Sequence, residues 1–176
     1  PGYSTGMLPY YVAYGNGRFV AIGRNFGRTY SSSYSTNGLT WTAGENVTNV
    51  CALSGIIVFG NGLFVATGDD GTTSVAGTTT VIYTSTTGAA SSWTNRGTTI
   101  GVVGDISRSG VYSTDLGLFL LVTSSTAKTS PDGATWTTRS VSGNDCTWAN
   151  ERFFVTGINN SNVGNGTIYY SYTGVT

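Results

Sequence analysis

A two-part unit that recurs four times along the chain limits what this sequence can fold into. The first half, at 12–23, has two short apolar runs around a turn, and the second half, at 35–41, is Ser-Thr-Asn-Gly-Leu-Thr-Trp. Related pairs of segments begin near 58, 111 and 147. A repeat of nearly fixed length defines the unit of folding, so we expect an array of similar modules.

The first half of each unit predicts a β-hairpin. The apolar runs at 12–23 are rich in β-branched and aromatic residues, and Gly-Asn-Gly separates them at 15–17 and again at 60–62 in the second unit. Asn and Gly tolerate the positive φ that a two-residue hairpin turn requires. The third copy is looser, and the fourth turns at Asn150-Glu151, which keeps the Asn and loses the glycines.

The second half of each unit predicts a tight turn that is followed by an anchoring tryptophan. Ser and Asn or Asp accept hydrogen bonds from nearby backbone N–H groups, Gly takes the strained position, and Trp buries a large ring. The fourth copy stops one residue before its tryptophan would appear. The residues assigned to this turn motif are Ser35, Asn37, Gly38, Trp41, Ser85, Gly88, Trp93, Ser130, Asp132, Gly133, Trp136, Ser171 and Gly174.

These motifs carry a family resemblance. Ser-x-Asp/Asn-Gly-x-Thr-Trp, at 35–41 and 130–136, resembles the Asp-box turn of sialidase-like and related β-propeller repeats. The Gly-Asn-Gly hairpin with its following Phe-Val-Ala-x-Gly resembles the repeats of bacterial surface proteins and of phage tail or fibre proteins. The resemblance covers nearly the whole chain and implies a β-propeller. It implies little about chemistry, because Asp-box turns are structural.

The whole chain, 1–176, is therefore predicted to be one all-β domain, a β-propeller of about four four-stranded repeats. The 176 residues allow about 44 residues per repeat, which suits a propeller blade, and no helical period of useful length occurs. The expected repeats are approximately 10–48, 49–98, 99–141 and 142–176. A small four-bladed ring and an arc of a larger propeller both remain open.

The fourth repeat lacks its last strand in the sequence, which raises the question of closure. Residues 1–9 show no clear period and either complete another blade or link to a preceding segment. Otherwise the open blade edge is expected to pair with residues that the sequence does not include, or with another chain, through self-association or in a larger virion or surface assembly, because a bare edge invites pairing. Pro1 is not a natural translation start, so the chain is expected to be processed from, or part of, a longer product.

The composition limits the partners. Only 9% of residues are charged and the formal net charge is zero, so nucleic acid, which needs clustered Lys and Arg, is not expected. The sequence contains no long apolar run, so no membrane insertion is expected. A chain that is rich in hydroxyls and poor in charge suits an extracellular or virion-surface protein. Cys51 and Cys146 are either buried free thiols or a disulfide pair.

Catalytic groups are scarce. The chain has no histidine, its only glutamates are Glu45 and Glu151, and both are expected in turns or loops. Asp69 and Asp70 are adjacent, so a strand would direct them to opposite faces rather than pair them across a glycosidic bond. We therefore expect a protein that is not an enzyme and that needs no metal or cofactor.

The leading hypothesis is a non-catalytic binding module that recognises a glycan or a surface receptor. Exposed aromatic rings stack on sugars and hydroxyl-rich loops supply hydrogen bonds. Trp148 occupies the hairpin position of Tyr14 and Phe59, which favours a core role for it over ligand binding. The first alternative is a structural fibre, decoration or assembly component, and the second is a degenerate sialidase-like hydrolase. The candidate ligand-binding residues are Tyr30, Tyr34, Asp69, Asp70, Trp148, Tyr170 and Tyr172.

Overall fold

A computed structural model describes residues 7–25, 30–46, 55–69, 80–101, 107–158 and 166–174. Within these ranges the chain forms four antiparallel sheets, three with four strands and one with three. The strands of each sheet follow one another in chain order, as in the blades of a propeller. The prediction of an all-β propeller of about four repeats is confirmed.

The fifteen strands fall into four blades. Blade 1 contains β1 (Met7–Gly15), β2 (Arg18–Asn25), β3 (Tyr30–Ser35) and β4 (Thr42–Asn46). Blade 2 contains β5 (Ile57–Gly60), β6 (Leu63–Asp69), β7 (Thr80–Ser85) and β8 (Thr94–Ile100). Blade 3 contains β9 (Ser107–Ser113), β10 (Leu118–Thr123), β11 (Ala127–Ser130) and β12 (Thr137–Arg139). Blade 4 contains β13 (Asp145–Ala149), β14 (Arg152–Ile158) and β15 (Gly166–Ser171).

The first strand begins earlier than the sequence period suggests. Met7, Leu8 and Pro9 already pair with β2, opposite Asn25, Arg24 and Gly23 respectively. These three residues therefore belong to blade 1 and do not complete another blade. Their irregular pattern has a structural counterpart, because the register of the β1–β2 ladder shifts between Pro9 and Tyr11.

The first strands of successive blades lie side by side, with β1 beside β5, β5 beside β9, and β9 beside β13. The second strands supply the interior of each interface between blades. One cluster joins Val20 and Ile22 of blade 1 to Phe64 of blade 2, and similar clusters join blade 2 to blade 3 and blade 3 to blade 4. The core is thus divided into three layers between blades, which is the arrangement that stacked repeats need to bury their apolar faces.

The hairpin turn that follows the first strand takes the conformation that its residues favour. Asn16 and Gly17 have φ of 48° and 75°, and Asn61 and Gly62 have φ of 48° and 71°. Positive φ at both central residues fits the right-handed twist of the flanking strands. The Asn16 side chain also links two blades, because its Nδ2 donates to the backbone oxygen of Gly62 over 2.8 Å.

Helix is nearly absent from the described residues, where the chain forms one short 3-10 helix at Ala90–Ser92. None of the helical structure in these ranges has the length and apolar character that a membrane crossing requires.

Candidate active site

Two of the turns in a blade lie at the same end of that blade. Because neighbouring strands are antiparallel, the turn after the first strand and the turn after the third strand lie at the same end of a blade. We call this the turn end.

The turns after the third strands of blades 1 and 3 share one hydrogen-bonding pattern. In blade 3, Asp132 Oδ1 accepts from the backbone N–H groups of Ala134 and Thr135 over 2.8 and 2.7 Å, and Ser130 Oγ accepts from the N–H of Gly133 over 2.8 Å. Asn37 makes the equivalent bonds in blade 1. The bonds from Thr135 and then Ala134 lower the pKa of Asp132 to about 2, because they stabilise the charged carboxylate.

Two contacts fix the tryptophan that follows each of these turns, a hydrogen bond to the turn and a ring contact with the second strand. Trp136 Nε1 donates to the backbone oxygen of Gly133 over 3.0 Å, and the indole lies 6.4 Å from the Phe119 ring. Trp41 repeats both contacts in blade 1, with Gly38 and Phe19. These two indoles therefore anchor the fourth strand of their blade against its second strand.

A surface cavity of about 350 Å³ opens at the turn end between blades 3 and 4, and we call it the turn-end pocket. Two carboxylates, two aromatic rings and one aliphatic side chain line it. These residues are Asp115, Leu116, Trp148, Glu151 and Tyr172.

Asp115 and Trp148 meet across the two blades. Asp115 lies in the turn that joins β9 to β10, and Trp148 lies on β13. The Trp148 Nε1–H donates to Asp115 Oδ2 over 3.3 Å. The other side of the indole packs edge-on against Phe153, with ring centroids 4.7 Å apart. The core contact fixes the indole, and the indole in turn orients the carboxylate.

Glu151 enters the pocket from a strained turn. Asn150 and Glu151 form the hairpin turn between β13 and β14 with φ of 49° and 60°. The same second position is Gly17 in blade 1 and Gly62 in blade 2. A residue with a Cβ pays roughly 1–2 kcal/mol to adopt this left-handed conformation, a cost that glycine avoids. Strain of this kind concentrates at functional sites.

An arginine and two tyrosines flank the pocket. The guanidinium carbon of Arg152 lies 4.3 Å from the centre of the Tyr172 ring, which is a cation–π arrangement. Tyr170 meets Tyr172 edge-on, with ring centroids 6.2 Å apart. The Arg152 Nε atom is buried and finds no hydrogen-bond partner among the described residues. The Tyr172 ring is thus held as one wall of the pocket.

The structure brings together some of the ligand-binding residues that the sequence suggested. Trp148 and Tyr172 line the turn-end pocket, and Tyr170 lies beside Tyr172. Tyr34 lies elsewhere, half-buried against the core between blades 1 and 2, with the Arg18 guanidinium 5.2 Å from its ring centre. The side chains of Tyr30 and Asp69, and Asp70 as a whole, lie outside the described residues.

The remaining sequence candidates for special chemistry give no further site. Cys146 is a buried free cysteine, and burial raises the pKa of its thiol to about 12. Cys51, its suggested partner, lies outside the described residues. In the described ranges, no group of three or more His, Cys, Asp or Glu side chains could hold a metal ion.

Sequence reasoning missed both carboxylates of the pocket. Asp115 was not singled out, and Glu151 was interpreted only as a turn residue. One signal was present in the sequence, since Glu151 occupies a position that two other repeats fill with glycine. A side chain that replaces glycine at a position of positive φ points to a role for that side chain.

Comparison with known proteins gives relatives by structure only. No protein-family model matches the chain, and no curated protein matches it in sequence. Among solved structures, the GH43 endo-arabinanase from Bacillus licheniformis is similar over 91% of this chain and 69% of that enzyme, with a TM-score of 0.53 and 13% identity. An α-L-arabinofuranosidase from Clostridium thermocellum is similar over 96% of this chain and 69% of its own, with a TM-score of 0.54 and 13% identity.

A sialidase shares the same architecture. The Trypanosoma rangeli sialidase is similar over 96% of this chain, with a TM-score of 0.53 and 11% identity. The present chain spans 36% of the length of that enzyme. At these identities the likeness shows the fold alone, a β-propeller.

The prediction of a non-catalytic module is contradicted by these comparisons. The three solved structures named above, which share its fold over more than nine-tenths of its length, are those of glycoside hydrolases. The prediction rests on the absence of histidine and on the adjacency of Asp69 and Asp70, and neither observation excludes carboxylates that meet from different blades. The carboxylates of the turn-end pocket instead come from turns of two different blades.

Proposed function

We propose that this protein is a glycoside hydrolase whose active site is the turn-end pocket. The observation that carries the proposal is Glu151, which holds a strained conformation and shares an aromatic-walled cavity with a second carboxylate, Asp115. The propeller fold that the chain shares with arabinanases, an arabinofuranosidase and a sialidase supports this class of reaction.

The pocket contains the groups that glycoside hydrolysis needs. One carboxylic acid gives its proton to the oxygen of the leaving sugar, and the other carboxylate either attacks the anomeric carbon or removes a proton from the attacking water. Asp115 and Glu151 are the two acids in this proposal. The anomeric configuration of the first product distinguishes the two routes, since direct attack retains configuration and water attack inverts it.

The aromatic walls fit a sugar ring. Trp148 and Tyr172 each offer a flat apolar face with a polar group at its edge, which suits stacking against the C–H face of a sugar. Trp148 also holds Asp115 in place through its N–H. The proposed substrates are therefore glycans, and arabinan, arabinofuranosides and sialosides are the first to test because enzymes named for such substrates share the fold.

The test is turnover of a glycoside panel by the purified chain. Arabinan is assayed by reducing-end release, and aryl α-L-arabinofuranosides and aryl sialosides by release of the chromophore. Asp115→Asn and Glu151→Gln are each expected to lower kcat by about 100-fold or more. Asp132→Asn is the matched control, because it removes the same charge outside the pocket and places in blade 3 the residue that blade 1 carries as Asn37.

The outcomes separate catalysis from folding. Retained activity in Asp132→Asn together with loss in both pocket variants supports the assignment. If the unaltered chain is active and both pocket variants keep full activity, the active site is not the turn-end pocket. No turnover of any panel member by the unaltered chain would overturn the proposed function.

We further propose that the Ser-x-Asp/Asn-Gly turns are Asp-box turns, as their side-chain-to-backbone bonds suggest. The low content of charged residues supports an extracellular or virion-surface location, as in phage tail or bacterial surface proteins. Fractionation of the source, with an antibody against the chain, tests the location.

A further inference from the structure

Asn-Gly pairs occupy turns of the described chain at 16–17, 37–38 and 61–62. A fourth pair, at 165–166, has its asparagine outside the described residues. An asparagine that precedes glycine can lose its side-chain amide, because the glycine nitrogen is sterically open and can attack the side-chain carbonyl carbon. In a folded protein the rate of this reaction depends on how firmly the asparagine side chain is held, so the contacts of the three described pairs decide which of them reacts.

Two of the pairs have the same backbone conformation and the same exposure. Asn16 and Asn61 both have φ of 48°, and Gly17 and Gly62 have φ of 75° and 71°. All four residues are exposed, and a Cβ placed at either glycine would meet no atom within 4 Å. Backbone strain and steric access therefore do not distinguish the two asparagines, and a difference in their reactivity must come from their side-chain contacts.

The Asn16 side chain is fixed across two blades. Its Nδ2 donates to the backbone oxygens of Gly62 and Thr86 in blade 2, over 2.8 and 2.9 Å. Both hydrogen bonds must break before the side-chain carbonyl carbon of Asn16 can turn towards the Gly17 nitrogen. The contact between blades 1 and 2 therefore protects this amide.

The Asn37 side chain is held within its own turn. Its Oδ1 accepts from the backbone N–H groups of Leu39 and Thr40 over 2.9 and 2.8 Å. The attacking atom is held as well, because the Gly38 N–H donates to Ser35 Oγ over 2.9 Å. Ring closure at this pair requires the loss of bonds on both the carbonyl and the nitrogen.

Asn61 has neither kind of restraint. Its side chain is exposed and makes no hydrogen bond to another described residue. Its turn belongs to blade 2, whose first strand β5 lies between β1 and β9. Blade 2 thus has a neighbouring blade on each side, and the freedom of this amide does not arise from a position at an end of the chain.

We propose that Asn61 is a site of spontaneous deamidation in the folded protein, whereas Asn16 and Asn37 are protected. The Gly62 nitrogen forms a bond to Asn61 Cγ, the bond from Cγ to Nδ2 breaks, and Nδ2 leaves as ammonia with the proton of the Gly62 nitrogen. Water then opens the cyclic imide at either of its carbonyl carbons, which gives aspartate or isoaspartate at position 61. The reaction needs no cofactor and is independent of the proposed glycosidase activity.

The two products differ in their effect on blade 2. Aspartate before glycine suits the same hairpin turn, so this product keeps the turn and adds a negative charge. Isoaspartate instead places one extra carbon in the main chain between β5 and β6, which pair Gly60 with Leu63 directly across the turn. Because a short turn sets the register of the strands that it joins, isoaspartate should weaken the pairing of β5 with β6.

The test is incubation of the purified chain at neutral pH in water enriched in oxygen-18. Digestion after aromatic residues places the three asparagines on separate peptides, and mass spectrometry follows oxygen-18 uptake in each. We expect position 61 to react at least about tenfold faster than positions 16 and 37, because the hydrogen bonds at those two positions raise the barrier to ring closure. The chain unfolded in urea is the control, in which the three positions should react at similar rates.

Two results would overturn the proposal. One is equal uptake at positions 61 and 16 in the folded chain. The other is no uptake at position 61 in the folded chain while the unfolded chain reacts. Asn61→Gln confirms the assignment of the label, because glutamine would have to close a larger ring and should take up no oxygen-18 at this position.

The effect on the hairpin is measured on the products. Ion exchange separates the deamidated chain by its added negative charge, and methylation by isoaspartyl methyltransferase measures its isoaspartate content. The urea midpoint of the isoaspartate-containing fraction should lie below that of Asn61→Asp, which carries the same charge on an ordinary backbone. Equal midpoints would refute the weakening of the β5–β6 pairing.

Discussion

The substitution Glu151→Gly should make the protein more stable and remove its proposed activity. Glu151 has φ of 60°, a conformation that costs a side-chain-bearing residue roughly 1–2 kcal/mol and costs glycine little. Glycine also lowers the free energy of unfolding by about 0.5–1 kcal/mol, because its unfolded chain has greater conformational entropy. A net gain of about 1 kcal/mol remains, which corresponds to a rise of about 2–4 °C in Tm for a chain of this size.

The reciprocal substitution is the matched control. Gly62 holds the same turn position in blade 2, with φ of 71°, and a Cβ placed there would meet no atom within 4 Å. Gly62→Glu therefore adds the backbone strain without a steric clash. It should lower the free energy of unfolding by about 1 kcal/mol and leave glycoside turnover unchanged.

Urea denaturation followed by tryptophan fluorescence measures both effects, with the m-value checked for constancy. The same preparations are assayed for glycoside turnover. A Glu151→Gly variant that is less stable than the unaltered chain would refute the claim of strain. A more stable variant that keeps full activity would show that the strained carboxylate serves no catalytic purpose.

Two further predictions concern the scaffold. Gly60→Ala should destabilise the protein by about 1–3 kcal/mol, because a Cβ at Gly60 would overlap the Tyr112 ring. Gly166→Ala should be neutral or slightly stabilising, because the nearest atom to its Cβ is the Gly157 backbone oxygen at 4.0 Å, an ordinary contact. Denaturant midpoints of the two variants test this pair. Asp132, with its pKa lowered to about 2 by backbone bonds, contributes stability above pH 4 that is lost as the pH falls towards 2. Asp132→Asn should lack this acid-dependent loss, since Asn37 makes the same bonds without a proton to gain, and midpoints measured from pH 5 to 2 should show the difference.

The blades could be predicted from the sequence because each turn is specified by residues that are adjacent in the chain. A turn of Asn16 and Gly17 needs only its own residues to specify a hairpin, and Ser130 with Asp132 specifies the next turn through bonds within four residues. Repetition of such local signals along the chain then fixes the number of sheets and their order. Met7 to Pro9 were missed because a shift of register interrupts the alternation of the strand at that point.

The pocket was not predictable by the same means. Asp115 and Trp148 are 33 residues apart, and they meet only because blade 4 packs against blade 3. Tyr172 joins them from the turn that follows β15. No spacing rule links these residues, since the length between them depends on the loops that connect the strands.

Two of the places where the repeats depart from their own pattern lie at the candidate site. In blades 1 and 2 the turn of the first hairpin is Asn-Gly, at 16–17 and 61–62. Asn16 of the first of these turns has a structural role, because its side chain bonds to the backbone of blade 2. Blades 3 and 4 replace this turn, one with a longer turn that contains Asp115 and the other with Asn150-Glu151. These two replaced turns line the same cavity. In a repeat protein, where most positions serve the common fold, the residues that break the repeat and converge in space are therefore the first candidates for function.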